Sequence, residues 1–235
     1  MKKYTVFLLI CCFTALALLS CKKNDYLTDE GVHSARTPLN TYDFLKSNQN
    51  NLFDTFLLVV DKFNLREAML NAKTVFAVTD YSIRRYINLR QDALRLIDVN
   101  KTFTLDSLYA NMTADSLKQY FFNQRITLND APMEPDVNQV TSSGNTTCGY
   151  SKRQWTILEL NGNDGGLFTW TNNPIYGLYY TKIRGALDVP GTTPPANEID
   201  IKVLCQTQGI LPTNDKGAAD QVLHVLSNAH TFIRF

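Results

Sequence analysis

Histidine is scarce in this 235-residue chain, with only His33, His224 and His230, so a histidine-based catalytic or metal site has few members to draw on. No Gly-x-Ser-x-Gly, His-Glu-x-x-His or phosphate-cradling glycine loop occurs, which leaves no local motif for a serine nucleophile, a zinc protease or a bound nucleotide. An excess of one charge is lacking as well. Removing Lys2 and Lys3 with a cleaved leader takes 23 basic residues to 21 against 22 acidic, a net charge near −1, which excludes a phosphate-tracking nucleic-acid binder. Cysteine is sparse, with Cys11, Cys12, Cys21, Cys148 and Cys205. The composition, 44% hydrophobic and 19% charged, is that of a globular protein able to build a sizeable core, not of a disordered one. No catalytic residue, metal or cofactor is expected.

The N-terminus is organised for export. Residues 1–20 carry Lys2 and Lys3, a mostly apolar run over residues 6–19 and a small residue before Cys21, the pattern of a secretory signal too short to be a convincing membrane span. Leu18-Leu19-Ser20-Cys21 resembles the bacterial lipobox, which implies that Cys21 becomes the lipidated N-terminus and that the membrane is contacted through that lipid only. Residues 21–40 read as a flexible tether. Its Lys22-Lys23-Asn24-Asp25 partly resembles the tags that send lipoproteins to the outer face of the outer membrane, so a surface-exposed, lipid-anchored protein is expected. With the leader gone and Cys21 carrying lipid, Cys148 and Cys205 remain. In an exported compartment they could form a disulfide, closing a loop of roughly 57 residues and stabilising the fold by about 4 kcal/mol, or stay as two buried thiols.

The folded region is expected over residues 41–235, beginning with Thr41 as a helix cap. Phe53, Phe56, Leu57 and Val60 recur at helical spacing, and Leu65, Met69 and Leu70 resume it after a break at Asn64. Thr74-Val75-Phe76-Ala77-Val78-Thr79-Asp80 is a short apolar strand run closed by a helix-start pair. A helix follows, with Ile83, Tyr86, Ile87 and Leu94 on one face and arginines on a solvated one. Thr113 caps a further helix expected over residues 114–123. Residues 131–196 are rich in turns, and runs at 155–160, 167–171 and 175–183, with 199–204 beyond, read as strands of a β-rich elaboration.

The run Thr74 through Asp80 resembles the first signature of fasciclin domains, with Val78 where that family commonly has proline. Val222-Leu223-His224-Val225-Leu226-Ser227-Asn228-Ala229 resembles the second. Leu117-Lys118-Gln119-Tyr120-Phe121-Phe122-Asn123-Gln124 is similar to the family's middle helix, with Asn123-Gln124 in place of its Tyr-His pair. The resemblance implies an α+β fold, a bent β-sandwich or wedge with N-terminal helices. In it Thr74, Val75, Phe76, Thr79, Asp80 and His224 are structural. It also implies a non-catalytic adhesion or protein-interaction module. Asp200-Ile201 resembles the Asp-Ile pair of adhesive members; with the Tyr-His pair replaced, integrin-type adhesion does not carry over.

Partner contact is expected from aromatics of the elaboration. Trp155, Phe168, Trp170, Tyr176, Tyr179 and Tyr180 are clustered there, and strand alternation sets Tyr179 against Tyr176 and Tyr180, so both faces cannot easily be core. Exposed aromatic rings anchor protein contacts or stack on sugars at low entropic cost. The partner is therefore expected to be an envelope protein, with an extracellular glycan as the alternative, in which case the chain would be an accessory of an outer-membrane polysaccharide uptake system. Asp106-Ser107-Leu108 and Asp115-Ser116-Leu117 resemble the Asp-Ser-apolar acceptor of periplasmic O-glycosylation, implying modification at Ser107 and Ser116. Residues 161–166 have some flavour of a calcium loop but lack its spaced carboxylates, so a hairpin turn is expected.

Overall fold

A computed structural model describes residues 35–155, 175–213 and 221–233. The leader, Cys21, most of the tether with His33, the strands expected at 156–160 and 167–171, and Phe168 and Trp170 all lie outside the described residues. The compact unit spans Ala35–Phe235.

Local chemistry accounts for the helices. Asn40, not Thr41, caps α1 (Thr41–Lys46), its side chain accepting from the Asp43 amide at 2.9 Å. Thr41 is instead buried, with its hydroxyl on Gln221. Helices α2 (Asp54–Lys62) and α3 (Arg66–Asn71) follow the apolar spacing, and the break between them is Asn64 at a left-handed φ of 53°. α4 (Asp80–Arg95) buries Ile83, and its partly buried Tyr86, Ile87 and Leu94 pack against the core. α5 (Leu105–Ala110) and α6 (Ala114–Lys118) each begin with the same device. Thr104 with Ser107, and Thr113 with Ser116, form reciprocal capping boxes, and Leu108 and Leu117 then turn into the core.

The strands are β1 (Arg36–Thr37), β2 (Thr74–Ala77), β3 (Phe121–Phe122), β4 (Asn138–Thr141), β5 (Thr147–Gln154), β6 (Tyr176–Lys182), β7 (Ile201–Pro212) and β8 (Val222–Leu226). They form one eight-stranded sheet in the order β3-β2-β8-β7-β6-β5-β4, with β1 added beside β7. Fold class is thus mixed helix and sheet, as expected. Three boundaries differ from the sequence reading. The ordered domain starts before residue 41, because Arg36 and Thr37 pair in parallel with Leu211 and Pro212. The helix expected through residue 123 stops at Lys118, since Phe121 and Phe122 gain full burial by pairing with Val75 and Thr74. Strands β4 and β5 add pairing before the expected strands of the elaboration.

Strand β7 joins two halves of the sheet. Its first residues pair with β6, Leu204 opposite Tyr179 and Ile201 opposite Lys182, and its later ones with β8, Cys205 opposite Leu226 and Ile210 opposite Leu223. Register shifts fall between Cys205 and Ile210, where Gly209 sits at φ +76°, a conformation a side chain would strain. Strand β2 runs parallel to β8, and every residue of both is buried. At about 1.5–3 kcal/mol per fully buried large apolar side chain, Val75, Phe76, Val222, Leu223 and Leu226 make this pair a main source of hydrophobic stabilisation among the described residues.

The disulfide expected as one alternative does not form. Cys148 and Cys205 are both free and buried. Cys148 stands opposite Lys182, and Lys182 opposite Ile201, so Cys205 lies two strands across and four residues along. At about 4.8 Å per strand and 3.3 Å per residue the two Cα atoms are on the order of 15 Å apart, well beyond the roughly 7 Å a bridge can span.

Candidate functional site

Thr74, Val75, Phe76, Thr79, Asp80 and His224 are each engaged in packing or hydrogen bonding within the fold. Thr74 Oγ1 donates to the Gln124 carbonyl at 2.8 Å and accepts from the Ile126 amide at 2.9 Å, stapling the segment after β3 to β2. His224 Nε2 donates to the Ile126 carbonyl at 3.0 Å, while Nδ1 accepts from the Gly209 amide at 3.1 Å. The bulge of β7 thus finds the acceptor it needs. Burial holds His224 neutral, lowering its pKa to about 4 although the bond to Ile126 pulls the other way. Phe76 is fully buried, and Val75 lies beside it in the same strand. Thr79 Oγ1 donates to Asn228 Oδ1 at 2.9 Å. Asp80 starts its own helix, as expected, and its carboxylate also caps α2 by accepting from the amides of Thr55 at 2.9 Å and Phe56 at 3.1 Å.

His230 is buried as well. The Tyr120 hydroxyl accepts from the Ile233 amide at 3.2 Å and is hydrogen-bonded to His230 Nε2 at 2.8 Å. Burial lowers the His230 pKa to about 3. Among the described residues no group of three or more His, Cys, Asp or Glu side chains is placed to hold a metal, and no helix is long and apolar enough to cross a membrane.

The aromatic side chains expected to bind a partner divide. Tyr180 is corrected to core: it is fully buried, its hydroxyl donates to the Gln119 carbonyl at 3.3 Å and lies 3.1 Å from Cys148 Sγ, and its ring packs on Phe76. Burial pushes the Cys148 and Cys205 thiols and the Tyr180 hydroxyl up, which favours their protonated forms. Trp155 is half-buried, its indole lying across Gly177, where any Cβ would collide with it. Asp200 is half-buried, and its carboxylate accepts from the amides of Arg184 and Asp188, both at 2.9 Å, and so closes a loop. Tyr176 and Tyr179 remain half-buried. Ser107 and Ser116 are half-buried helix-start residues whose hydroxyls accept from Thr104 at 3.1 Å and Thr113 at 3.2 Å.

Tyr179 and Ile201 meet at a cleft of about 730 Å³ between α4, the β6–β7 edge and the segment after β8. Leu89, Val203 and Leu204 contribute apolar wall, and Arg85, Arg184 and Lys202 contribute cations. Lys202 is paired with Glu134 at 3.4 Å. Among the described residues, the Arg85 and Arg184 guanidinium groups have no carboxylate or hydrogen-bond partner. Arg153 donates to the Tyr179 hydroxyl at 3.0 Å and covers one face of its ring. Tyr179 and Ile201 were legible in the sequence; Arg184 was not, because only the tertiary fold brings it to the same cleft as Arg85. No protein-family model matches the chain, and neither a curated protein nor a solved structure matches it.

Proposed function

We propose that the chain is a fasciclin-like lipoprotein of the bacterial outer membrane, anchored by lipid at Cys21 and exposed on the surface, that binds another envelope protein rather than transforming a substrate. The observation that carries this reading is the cleft in which Arg85 and Arg184, without carboxylate partners among the described residues, flank half-buried Tyr179. Unpaired guanidinium groups beside apolar wall complement a segment that offers carboxylates, so the partner contributes an acidic stretch. The fasciclin reading, with its bent β-sandwich, is supported by the parallel pairing of the two signature strands and by the bonds that Thr74, Thr79 and His224 make between the segments bearing them. A non-catalytic role is supported by His224 and His230, both held neutral inside structural hydrogen bonds.

The glycan alternative draws less support from the same rings. An Arg153 guanidinium lies 5.5 Å from the Tyr179 centroid and a Lys152 ammonium 5.9 Å from that of Tyr176, so a face a sugar would stack on is covered in each. Affinity capture from envelope extract tests the proposal. Arg184→Glu should weaken capture by at least about tenfold, and Tyr179→Ala by roughly 1–3 kcal/mol, with thermal stability unchanged in both. Capture unaffected by Arg184→Glu would sink the cleft as the contact surface. Salt-insensitive binding to a glycan array, lost in Tyr179→Ala, would transfer the function to glycan binding.

A further inference from the structure

The turn that ends α4 presents an apolar tip with no neighbours. Leu96 is 91% exposed, Ile97 79% and Val99 75%, the most exposed large aliphatic side chains among the described residues. Single exposed leucines are ordinary; three within four positions on one turn are not. The turn is ordered rather than slack. The Leu94 carbonyl accepts from the amides of Ile97 at 3.0 Å and Asp98 at 2.9 Å, and Asp98 Oδ1 accepts from the Asn100 amide at 3.0 Å. Gln91 then clamps the return of the chain, its Nε2 donating to the Lys101 carbonyl at 2.8 Å and its Oε1 accepting from the Phe103 amide at 2.7 Å. The apolar side chains are thereby held outward at no further ordering cost.

From this geometry we infer that Leu96, Ile97 and Val99 form a membrane-contacting tip that seats in the interface of a bilayer bearing anionic headgroups. Charge decides the kind of surface. Along the chain Arg90, Arg95 and Lys101 surround the tip against Asp92 and Asp98, an excess of one positive charge, and Asp98 Oδ1 is turned to the Asn100 amide within the turn. Aliphatic side chains at the apex with basic residues behind them match the acyl-to-headgroup boundary, where the former leave water and the latter meet phosphates. A protein partner fits less well, because anchors of protein interfaces sit in packed surroundings, whereas Leu96 is 91% exposed. The inference is independent of the cleft. It draws on the proposed lipid at Cys21 only for proximity, since the stretch of about 15 residues from Cys21 to Arg36 cannot hold the domain more than about 50 Å from the attachment point. Membrane contact then has a second element besides the lipid.

Photo-crosslinking of the full chain tests it. The protein is mixed with vesicles of phosphatidylcholine and phosphatidylglycerol containing a diazirine-bearing phospholipid, irradiated and digested with trypsin, and lipid adducts are mapped. Cleavage after Arg95 and Lys101 releases the tip as one peptide. Adducts are expected on that peptide in both the parent chain and Cys21→Ser, about tenfold above those on peptides carrying the exposed Leu58 and Val189. They are expected to fall to that background in Leu96→Asp/Ile97→Asp, whose melting temperature stays unchanged. Adducts confined to the N-terminal segment would leave the lipid anchor standing and overturn the tip. So would an unlabelled tip in a protein whose concentration-dependent dimer disappears in Leu96→Asp/Ile97→Asp, which would assign the apolar patch to a second copy.

Discussion

The ring of Phe76 stacks on the imidazole of His224, with centroids 5.0 Å apart and planes 27° from parallel, and the two residues are register partners on adjacent parallel strands. Phe122 meets the same phenyl ring edge-on at 5.5 Å and Tyr180 approaches it at 5.1 Å. One residue of an early strand therefore touches the last strand, the short strand after α6 and the elaboration at once. His224 adds direction to this non-directional packing. Its two nitrogens tie the β7 bulge at Gly209 to the Ile126 carbonyl, so the aromatic cluster and the bend in the sheet are fixed by one side chain.

Phe76→Ala should destabilise the domain by about 3–5 kcal/mol, the sum of lost burial and a cavity that three aromatic neighbours cannot collapse into. Urea denaturation measures it. A change below roughly 1 kcal/mol, the range of ordinary surface substitutions, would mean that the ring is not in the core.

The histidine makes stability depend on acid. In the unfolded chain His224 titrates near its ordinary 6.5, and in the fold burial holds it at about 4, so between those values the unfolded state binds more protons. Stability is therefore full above the unfolded pKa and is lost as pH falls from about 6.5 to about 4, by roughly 3 kcal/mol from this group. Buried His230 acts in the same direction, its window extending to about 3. Denaturation midpoints at pH 7.5 and pH 4.5 read the effect. A midpoint independent of pH, or a drop of the same size in His224→Gln, would remove His224 as its cause.

Cys148 and Cys205 should remain two thiols even under oxidising conditions. The sheet keeps them apart, and burial raises both thiol pKa values, suppressing the thiolate that exchange requires. Non-reducing peptide mapping should yield no linked pair, with alkylation at both sites only after denaturation. A Cys148–Cys205 peptide would contradict the register of β5, β6 and β7.

What the sequence disclosed and what it hid divide by the range of the interactions. Val75 and Phe76, and the α2 residues Phe56 and Val60, could be placed because local period and β-branched composition decide their partners within a few residues. The strand formed by Phe121 and Phe122 could not, since it exists only because β2 is there to pair with it. Strand alternation showed that Tyr176 and Tyr180 share a face of β6, but not which face is inside; the answer came from Phe76 and Gln119, far away in sequence. The cleft was hidden for the same reason, because Arg85 and Arg184 become neighbours only through the tertiary fold.

Asp80 offers the most direct check on how the segment of residues 74–80 stabilises its surroundings. Helix α2 begins after Phe53, which has no side chain to cap it, and its exposed amides at Thr55 and Phe56 are satisfied by the Asp80 carboxylate from the start of α4. The same carboxylate accepts from the Thr55 hydroxyl at 2.9 Å, so three donors converge on one group. Asp80→Ala should then cost about 1–2 kcal/mol, the usual loss for a helix cap, although residue 80 lies in a different helix from the one it caps. Asp80→Asn keeps one oxygen acceptor and should lose less. Combining Asp80→Ala with Thr55→Ala isolates the coupling: if the carboxylate acts through α2, the double substitution destabilises by less than the sum of the single ones. Strict additivity in that cycle, or equal losses in Asp80→Ala and Asp80→Asn with Thr55→Ala silent, would mean that Asp80 serves only the start of its own helix.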